Sequence, residues 1–424
     1  MIFSPTLSIM KVWLPFMLSA IFAEPLDETA KLQSQIDAVS AAGGGKVEIP
    51  AGIHWIRPIE LKSGVELCLA EGARLLGSGD WKDYPDHKLR HADSTKCPRG
   101  RASSLIWADE ATNIAITGKG TLDGNGACFL TNATPAQLAW GFKYVRRGGT
   151  EESPPRMMLL AGCSNVLVEG VTFTGLPGGW AVWLHDCDHA VFDGVKVDAD
   201  VNCANNDGIH VNCSRDVLIR NCDITTGDDA IVVRANSRSL RENRVCERVT
   251  VTNCNLRSWS CGVRIGWCND GTIRECVFED LRIRDSTFGV GIVLPPKRWI
   301  PSDYGREATR IENLIFRDIT LDGIYAHPLY CRTWDDPNSL FDGIRDILFE
   351  NVRGYGLENP YFEGTPTRPF ERFTFLGCAW KTVGDDILPG SSLHGAAARE
   401  RFTGGKMLHT KAFQGSFLGP ITSD

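Results

Sequence analysis

The stretch Asn165-Val-Leu-Val-Glu-Gly-Val-Thr-Phe173 is followed by His189-Ala-Val-Phe-Asp-Gly-Val-Lys-Val197 and then by Asp216-Val-Leu-Ile-Arg-Asn-Cys-Asp-Ile224. Each copy is a polar residue, an alternating apolar run, a Gly or Asn, and a second short apolar run. Arg248-Val-Thr-Val-Thr-Asn-Cys-Asn-Leu256 repeats it, and looser copies start at Asn113, Gly271, Asn313 and Asp346. From Asn165 to Gly271 the copies begin 24, 27, 32 and 23 residues apart. Alternation with a period of two is the signature of a strand with one buried face. No 3.6-residue apolar face persists over ten residues, which excludes helical repeats. A propeller repeats at about 40 residues or more, and a sandwich has no need of one motif so often in register. The pattern predicts an all-β fold, a right-handed parallel β-helix. Each coil contributes two or three short strands, and like residues stack about 4.8 Å apart. Val171, Val195, Cys222, Cys254 and Cys276 are expected to form one interior stack.

Outward from these coils, the chain has to cover its open ends, because an unpaired coil edge invites pairing with another chain. Asp27 to Ser40 supplies an N-terminal cap helix with Leu32, Ile36 and Val39 on one face, and Gly43-Gly44-Gly45 then turns into the first strand. Before it, Lys11 is followed by an apolar run that ends at Ala23. A short apolar run after one positive charge, closed by a small residue, reads as a signal peptide over residues 1–23 and is too short for a comfortable membrane span. The expected organisation is therefore a signal peptide, a single β-helix domain over residues 24–385, and a C-terminal tail, 386–424, whose pattern does not fix a structure. The expected location is secreted or periplasmic, with no membrane association after signal removal.

Composition narrows the partners. Of 424 residues, 43% are hydrophobic and 23% charged, which is globular rather than disordered. A net charge of -7 argues against nucleic acid, whose phosphates demand a basic surface. The fifteen cysteines are odd in number and fall mostly in or beside short apolar strands. They read as stacked interior residues rather than as a disulfide framework or a zinc site, since no CxxC pair has a matching second half. No nucleotide, flavin or metal motif stands out, so neither a cofactor nor a metal is expected. The oligomeric state is open.

Chemistry enters where two acidic motifs recur one coil apart. Asn205-Asn206-Asp207-Gly208 precedes Gly227-Asp228-Asp229, and Asp207 and Asp228 are 21 residues apart, about one coil. Either motif alone is a common turn sequence. Together they bring three carboxylates to adjacent coils, where like charges raise at least one pKa and leave a protonated acid beside ionised partners. Glycoside hydrolysis needs that division of labour.

With these residues the chain resembles the polygalacturonase-type glycoside hydrolases of family 28, which carry Asn-Thr-Asp, Gly-Asp-Asp, Gly-His-Gly and Arg-Ile-Lys motifs in that order. Asn205-Asn206-Asp207 is similar to the first with one change, and Gly227-Asp228-Asp229 matches the second. Ala42-Gly43-Gly44-Gly45-Lys46-Val47 and Gly118-Lys119-Gly120-Thr121-Leu122-Asp123-Gly124 are also similar to family segments. The resemblance implies a hydrolase of a pectin-related polysaccharide or oligosaccharide. It also implies Asp228 as general acid, Asp207 and Asp229 activating water, and inversion of configuration.

The departures bear on specificity. Where Gly-His-Gly should stand the chain has Ser260-Cys261-Gly262, and where Arg-Ile-Lys should stand Gly289-Val-Gly-Ile-Val-Leu294 carries no charge. Arg264, Lys297 and Arg298 are the candidates to replace those cations, and Asn205, His210 and Cys261 complete the candidate substrate-binding set. Trp259, Trp267 and Trp299 are candidate sugar-stacking walls. Without a substitute cation in the cleft, a neutral or differently placed sugar is expected to be preferred. The insertion Arg234 to Glu247 has two readings: a loop that closes one end of the cleft and favours terminal cleavage, or an inert loop. The alternatives are a polysaccharide lyase, with calcium on the acids, and a non-catalytic glycan-binding β-helix.

Overall fold

The computed structural model describes residues 26–138, 141–148, 152–296, 305–382, 409–411 and 413–418. The signal peptide expected over 1–23 lies outside them, as do Lys297, Arg298 and Trp299. A helix, Thr29–Ala41, buries Leu32 and Ile36 over the first coil, and Val39 packs against them. From Gly45–Ile49 onward the chain winds as a right-handed parallel β-helix. Among the described residues one sheet has eleven strands and is parallel throughout, running from Ile59–Glu60 to His409–Lys411. A larger sheet bends around the remaining faces of the coils. Within the C-terminal tail, His409–Lys411 pairs with Tyr361–Glu363 and Phe413–Leu418 with Phe370–Leu376, so the stack continues past Thr382.

The polar residues that punctuate the repeat are the corners of the coil. Asn113, Asn165, His189, Asp216, Arg248, Glu275, Asn313 and Asp346 all have φ between 53 and 58°. A second set of corners runs through Gly170, Gly194, Asn221, Asn253, Asp280, Asp318 and Asn351, again at positive φ. Gly and Asn tolerate this left-handed region best, which is why they recur there. Stacked corner amides add hydrogen bonds from coil to coil, Asn165 Nδ2 to Asn113 Oδ1 at 3.0 Å and Asn253 Nδ2 to Asn221 Oδ1 at 2.7 Å.

Between the corners, alternate residues point inward and stack in register. Val168, Phe192, Ile219, Val251, Phe278, Phe316, Phe349 and Phe375 form one such ladder. Its last four rings lie nearly parallel, with centroids 4.8, 5.0 and 5.1 Å apart, close to the strand spacing itself. One expected stack is corrected. Cys254 is in register with Leu281, which continues to Ile319, whereas Cys276 pairs with Leu314 in the neighbouring ladder. The copy read as starting at Gly271 has its corner at Glu275, so a one-coil alignment on glycine put Cys276 on the wrong side of a corner. All fifteen cysteines are unbridged, and twelve are buried.

Candidate active site

The eleven-stranded sheet presents its outer face as the floor of the site. Consecutive floor strands are Trp180–His185, Ile209–Asn212, Ile231–Arg234, Cys261–Ile265 and Phe288–Leu294. Asp207 and Asp229 occupy the turns that lead into the second and third of these. Gly208 N–H donates to Asp229 O, and Ala230 N–H to Cys261 O, which fixes the two turns one above the other. Two glycines make that approach possible. A Cβ on Gly208 would lie 2.2 Å from Ala230 O, and one on Gly227 would lie 2.0 Å from Cys203 O.

The turns converge Asp207, Asp228 and Asp229 so that one carboxylate oxygen from each lies within 4.8 Å of the others. Asp207 and Asp229 are buried and Asp228 is half-buried. Asp228 Oδ1 accepts from Asp229 N–H at 3.0 Å, and Oδ2 faces Asn205 Nδ2 at 3.3 Å. Asp229 Oδ1 accepts from Cys261 N–H at 3.0 Å. Asp207 Oδ2 bonds His210 Nε2 at 2.9 Å, and the His210 ring stacks on Trp180 with centroids 3.8 Å apart. Burial first, then the charges of Asp207 and Asp229, raises the Asp228 pKa well above its usual 3.8. Burial and Asp229 raise Asp207 likewise, against the opposing charges of Arg99, Arg146 and Arg264. Asp207 and Asp228, desolvated and crowded by like charge, both hold their protons more tightly than free carboxyl groups do. One group can therefore donate a proton while its neighbours accept one.

The family model for glycosyl hydrolases family 28 matches residues 87–377. The chain belongs to that family. A polygalacturonase from Medicago sativa is 27% identical over 284 residues, 58% of this chain and 59% of that one. An exo-poly-alpha-D-galacturonosidase from Dickeya chrysanthemi is 28% identical over 235 residues, 48% of this chain and 38% of that one. The chain spans about half the length of these curated relatives. An exopolygalacturonase structure from Thermotoga maritima shares the fold, with a TM-score of 0.63 over 84% of each chain and 18% identity.

The structure gathers Asp207, Asp228, Asp229, Asn205, His210 and Cys261 at one point of the floor. Cys261 stands where the family motif has histidine. Burial pushes its thiol pKa upward, so it is neutral and a weak donor; both its backbone N–H and its thiol engage Asp229. Arg264 lies on the next position of the floor, largely buried, with Cζ 4.5 Å from the Trp267 ring centre and Nη2 3.4 Å from Val293 O. Its charge reaches the acids, but its guanidinium sits over the ring of Trp267. Trp267 is thus a support for Arg264 and Arg234 rather than a bare wall. Trp259 is buried among Tyr325 and Leu357. The insertion after Arg234 folds back on the loop that precedes Ser104. Leu240 bridges Ala92, and Asp93 N–H donates to Ser239 O at 2.8 Å.

Sequence reasoning did not find Trp180, Arg99 or Arg146. Trp180 had a usable signal, because its strand lies one coil before His210 in the same repeat. The two arginines come from loops without any period-two pattern and carry no such signal.

Proposed function

We propose that this family 28 chain is an exported hydrolase of glycosidic bonds in galacturonate-containing, pectin-related glycans. The observation that carries the reading is the trio of acids on adjacent coils, crowded enough that one keeps a proton. Asp228 is the general acid. Its Oδ1 is committed to the Asp229 N–H, so the transferable proton sits on Oδ2 and passes to the leaving glycosidic oxygen. Asp207 and Asp229 act on water. Two oxygens within 4.8 Å of each other can both hydrogen-bond one water molecule, each at about 2.8 Å. That water attacks the anomeric carbon from the face opposite the departing oxygen, giving inversion. His210 N–H donation to Asp207 favours its ionised form, and Trp180 fixes the His210 ring in the plane that this bond requires.

Cys261 does not prevent this chemistry. The Cys261 backbone orients Asp229, while His210 supports Asp207 from within the same coil. Export is supported by the N-terminal apolar run, and among the described residues no helix is long and apolar enough to cross a membrane. Incubation with pectic and neutral glycans, followed by product identification, tests the reading. Release of saturated galacturonate-bearing products supports it, and release only of neutral sugars contradicts the substrate class.

A further inference from the structure

Two loops outside the coil stack meet beside Asp207. At the end of the first, Arg99 has a left-handed backbone, φ 67°, and its Nη1 donates to Gly178 O at 3.1 Å. Its Cζ lies 5.7 Å from the ring centre of Trp180, the residue that supports His210. The second loop carries the hairpin Leu130–Asn132 and Tyr144–Arg146. Lys143 and Tyr144 N–H groups donate to Asn202 O, and Ala204 N–H donates to Tyr144 O, which ties this hairpin to the approach to Asp207. Arg146 crosses Gly178 so closely that a Cβ there would lie 2.3 Å from Arg146 Cγ. The two arginines therefore flank one glycine. Gly178 N–H in turn donates to Asn206 Oδ1 at 2.9 Å, one residue before Asp207, and Asn206 also lines a cleft of about 670 Å³.

The hydrogen bonding and charge of the pair are those of an anion-binding site. Arg146 Nη1 is buried and has no hydrogen-bond partner among the described residues. Neither Arg99 nor Arg146 is ion-paired to a carboxylate among the described residues. The arginines along the outer corners are, as in Arg215–Asp188, Arg248–Asp216 and Arg372–Asp346. Burial, with the like charge of Arg146, pushes the Arg99 pKa down, and Asp207 and Asp228 pull it back only in part.

We propose that Arg99 and Arg146 receive the carboxylate of an anionic sugar, a uronate, bound across the acid trio. The inference rests on the hydrolase reading given above. It assigns uronate recognition to loops that precede the acid-bearing coils in the chain, whereas the family motif carries its cations at the segment matched by the uncharged Gly289–Leu294. A carboxylate would satisfy the buried Arg146 donor with a charge-assisted hydrogen bond, whereas a neutral or esterified sugar would leave it unpaired. Sites built this way reject the analogue that lacks the charged group more strongly than apolar pockets reject a size change.

The test compares kcat/KM on trigalacturonate and on its methyl ester for the wild type, Arg99→Gln, Arg146→Gln and Arg146→Lys. The wild type should prefer the free acid by roughly tenfold or more. Each Gln variant should lose roughly 10- to 100-fold on the acid and little on the ester, and Arg146→Lys should retain part of the preference. Equal losses on both substrates, or no loss on the acid, would overturn the proposal while leaving hydrolysis itself intact. Calorimetric binding of trigalacturonate to the Asp228→Asn protein, with and without Arg146→Gln, separates the two ideas if no substrate is cleaved. Binding that Arg146→Gln abolishes upholds the cation site although the hydrolase reading fails. Absent binding, or binding indifferent to Arg146→Gln, overturns the cation site.

Discussion

Replacing Asp228 by Asn should abolish turnover and stabilise the protein at the same time. The substitution keeps the shape of the side chain. Its Oδ1 still accepts from Asp229 N–H, and the Asn205 amide, turned by 180°, can accept from the new NH₂ group. What is lost is the transferable proton, and removal of a positioned general acid typically lowers kcat by about 10²–10⁴. What is relieved is repulsion. Two unit negative charges 4.8 Å apart interact by about 3.5 kcal/mol at an effective dielectric of about 20. Asp228 has two such neighbours, offset in part by Arg264 and Arg99. The sign follows from the proton balance. The Asp228 pKa is higher in the folded than in the unfolded protein, so folding binds a proton more tightly and stability falls as pH rises above 3.8. Asparagine removes that penalty. We expect Asp228→Asn to be more stable than wild type by about 1–3 kcal/mol near pH 7.5, a rise of about 1–4 °C in Tm at a fixed scan rate. The gain should fade below about pH 4, where both states of the wild type are protonated. The assays are differential scanning fluorimetry at the two pH values and reducing-sugar release. Near wild-type turnover would refute the acid role. A Tm at pH 7.5 equal to or below wild type would refute the crowding of the trio.

Trp180→Ala should free the His210 ring, lower kcat about tenfold and move the acid limb of the pH–rate profile upward, because Asp207 loses a bond to its ionised form. A drop in Tm with an unchanged profile would make Trp180 structural only. Gly208→Ala should cost about 1–3 kcal/mol or more and inactivate the enzyme, since its Cβ would overlap Ala230 O, a backbone atom that cannot yield without moving Asp229. Urea unfolding and turnover of that variant measure both effects. Phe316→Ala should cost about 3–5 kcal/mol by opening a gap between Phe278 and Phe349, and hydrogen exchange should show the loss concentrated in the adjoining coils.

The parts of the molecule legible in the sequence are those the coil repeats. Asn165, Asp216 and Asn313 announce themselves because a left-handed corner needs a residue that tolerates it, and the alternation between corners fixes which side chains point inward. Asp207 and the Asp228-Asp229 pair were legible for the same reason, since a separation close to one coil signals adjacent coils; the coil here is 22 residues, Ile209 being in register with Ile231, which sets Asp207 level with Asp229. The misassignment of Cys276 shows the limit of that ruler. Corners accept Glu275 as well as glycine, so a glycine near the expected place is not evidence of the corner itself. Arg99 and Arg146 were illegible because loops that leave the stack have no register. Their position beside Asp207 depends on contacts with Gly178 and Asn202 that no periodicity announces. Arg264 was legible in place but not in role, because the ring it sits over, Trp267, comes from outside its own strand.

The most direct test of the account is product analysis after incubation of oligogalacturonates with the wild-type protein and with Asp228→Asn, followed by mass spectrometry, ultraviolet absorbance and proton NMR of the newly formed anomeric centre. The account predicts saturated products from the wild type, with the anomeric configuration inverted at the moment of release, and none from Asp228→Asn. An unsaturated, ultraviolet-absorbing product, or cleavage by Asp228→Asn at the wild-type rate, would contradict it.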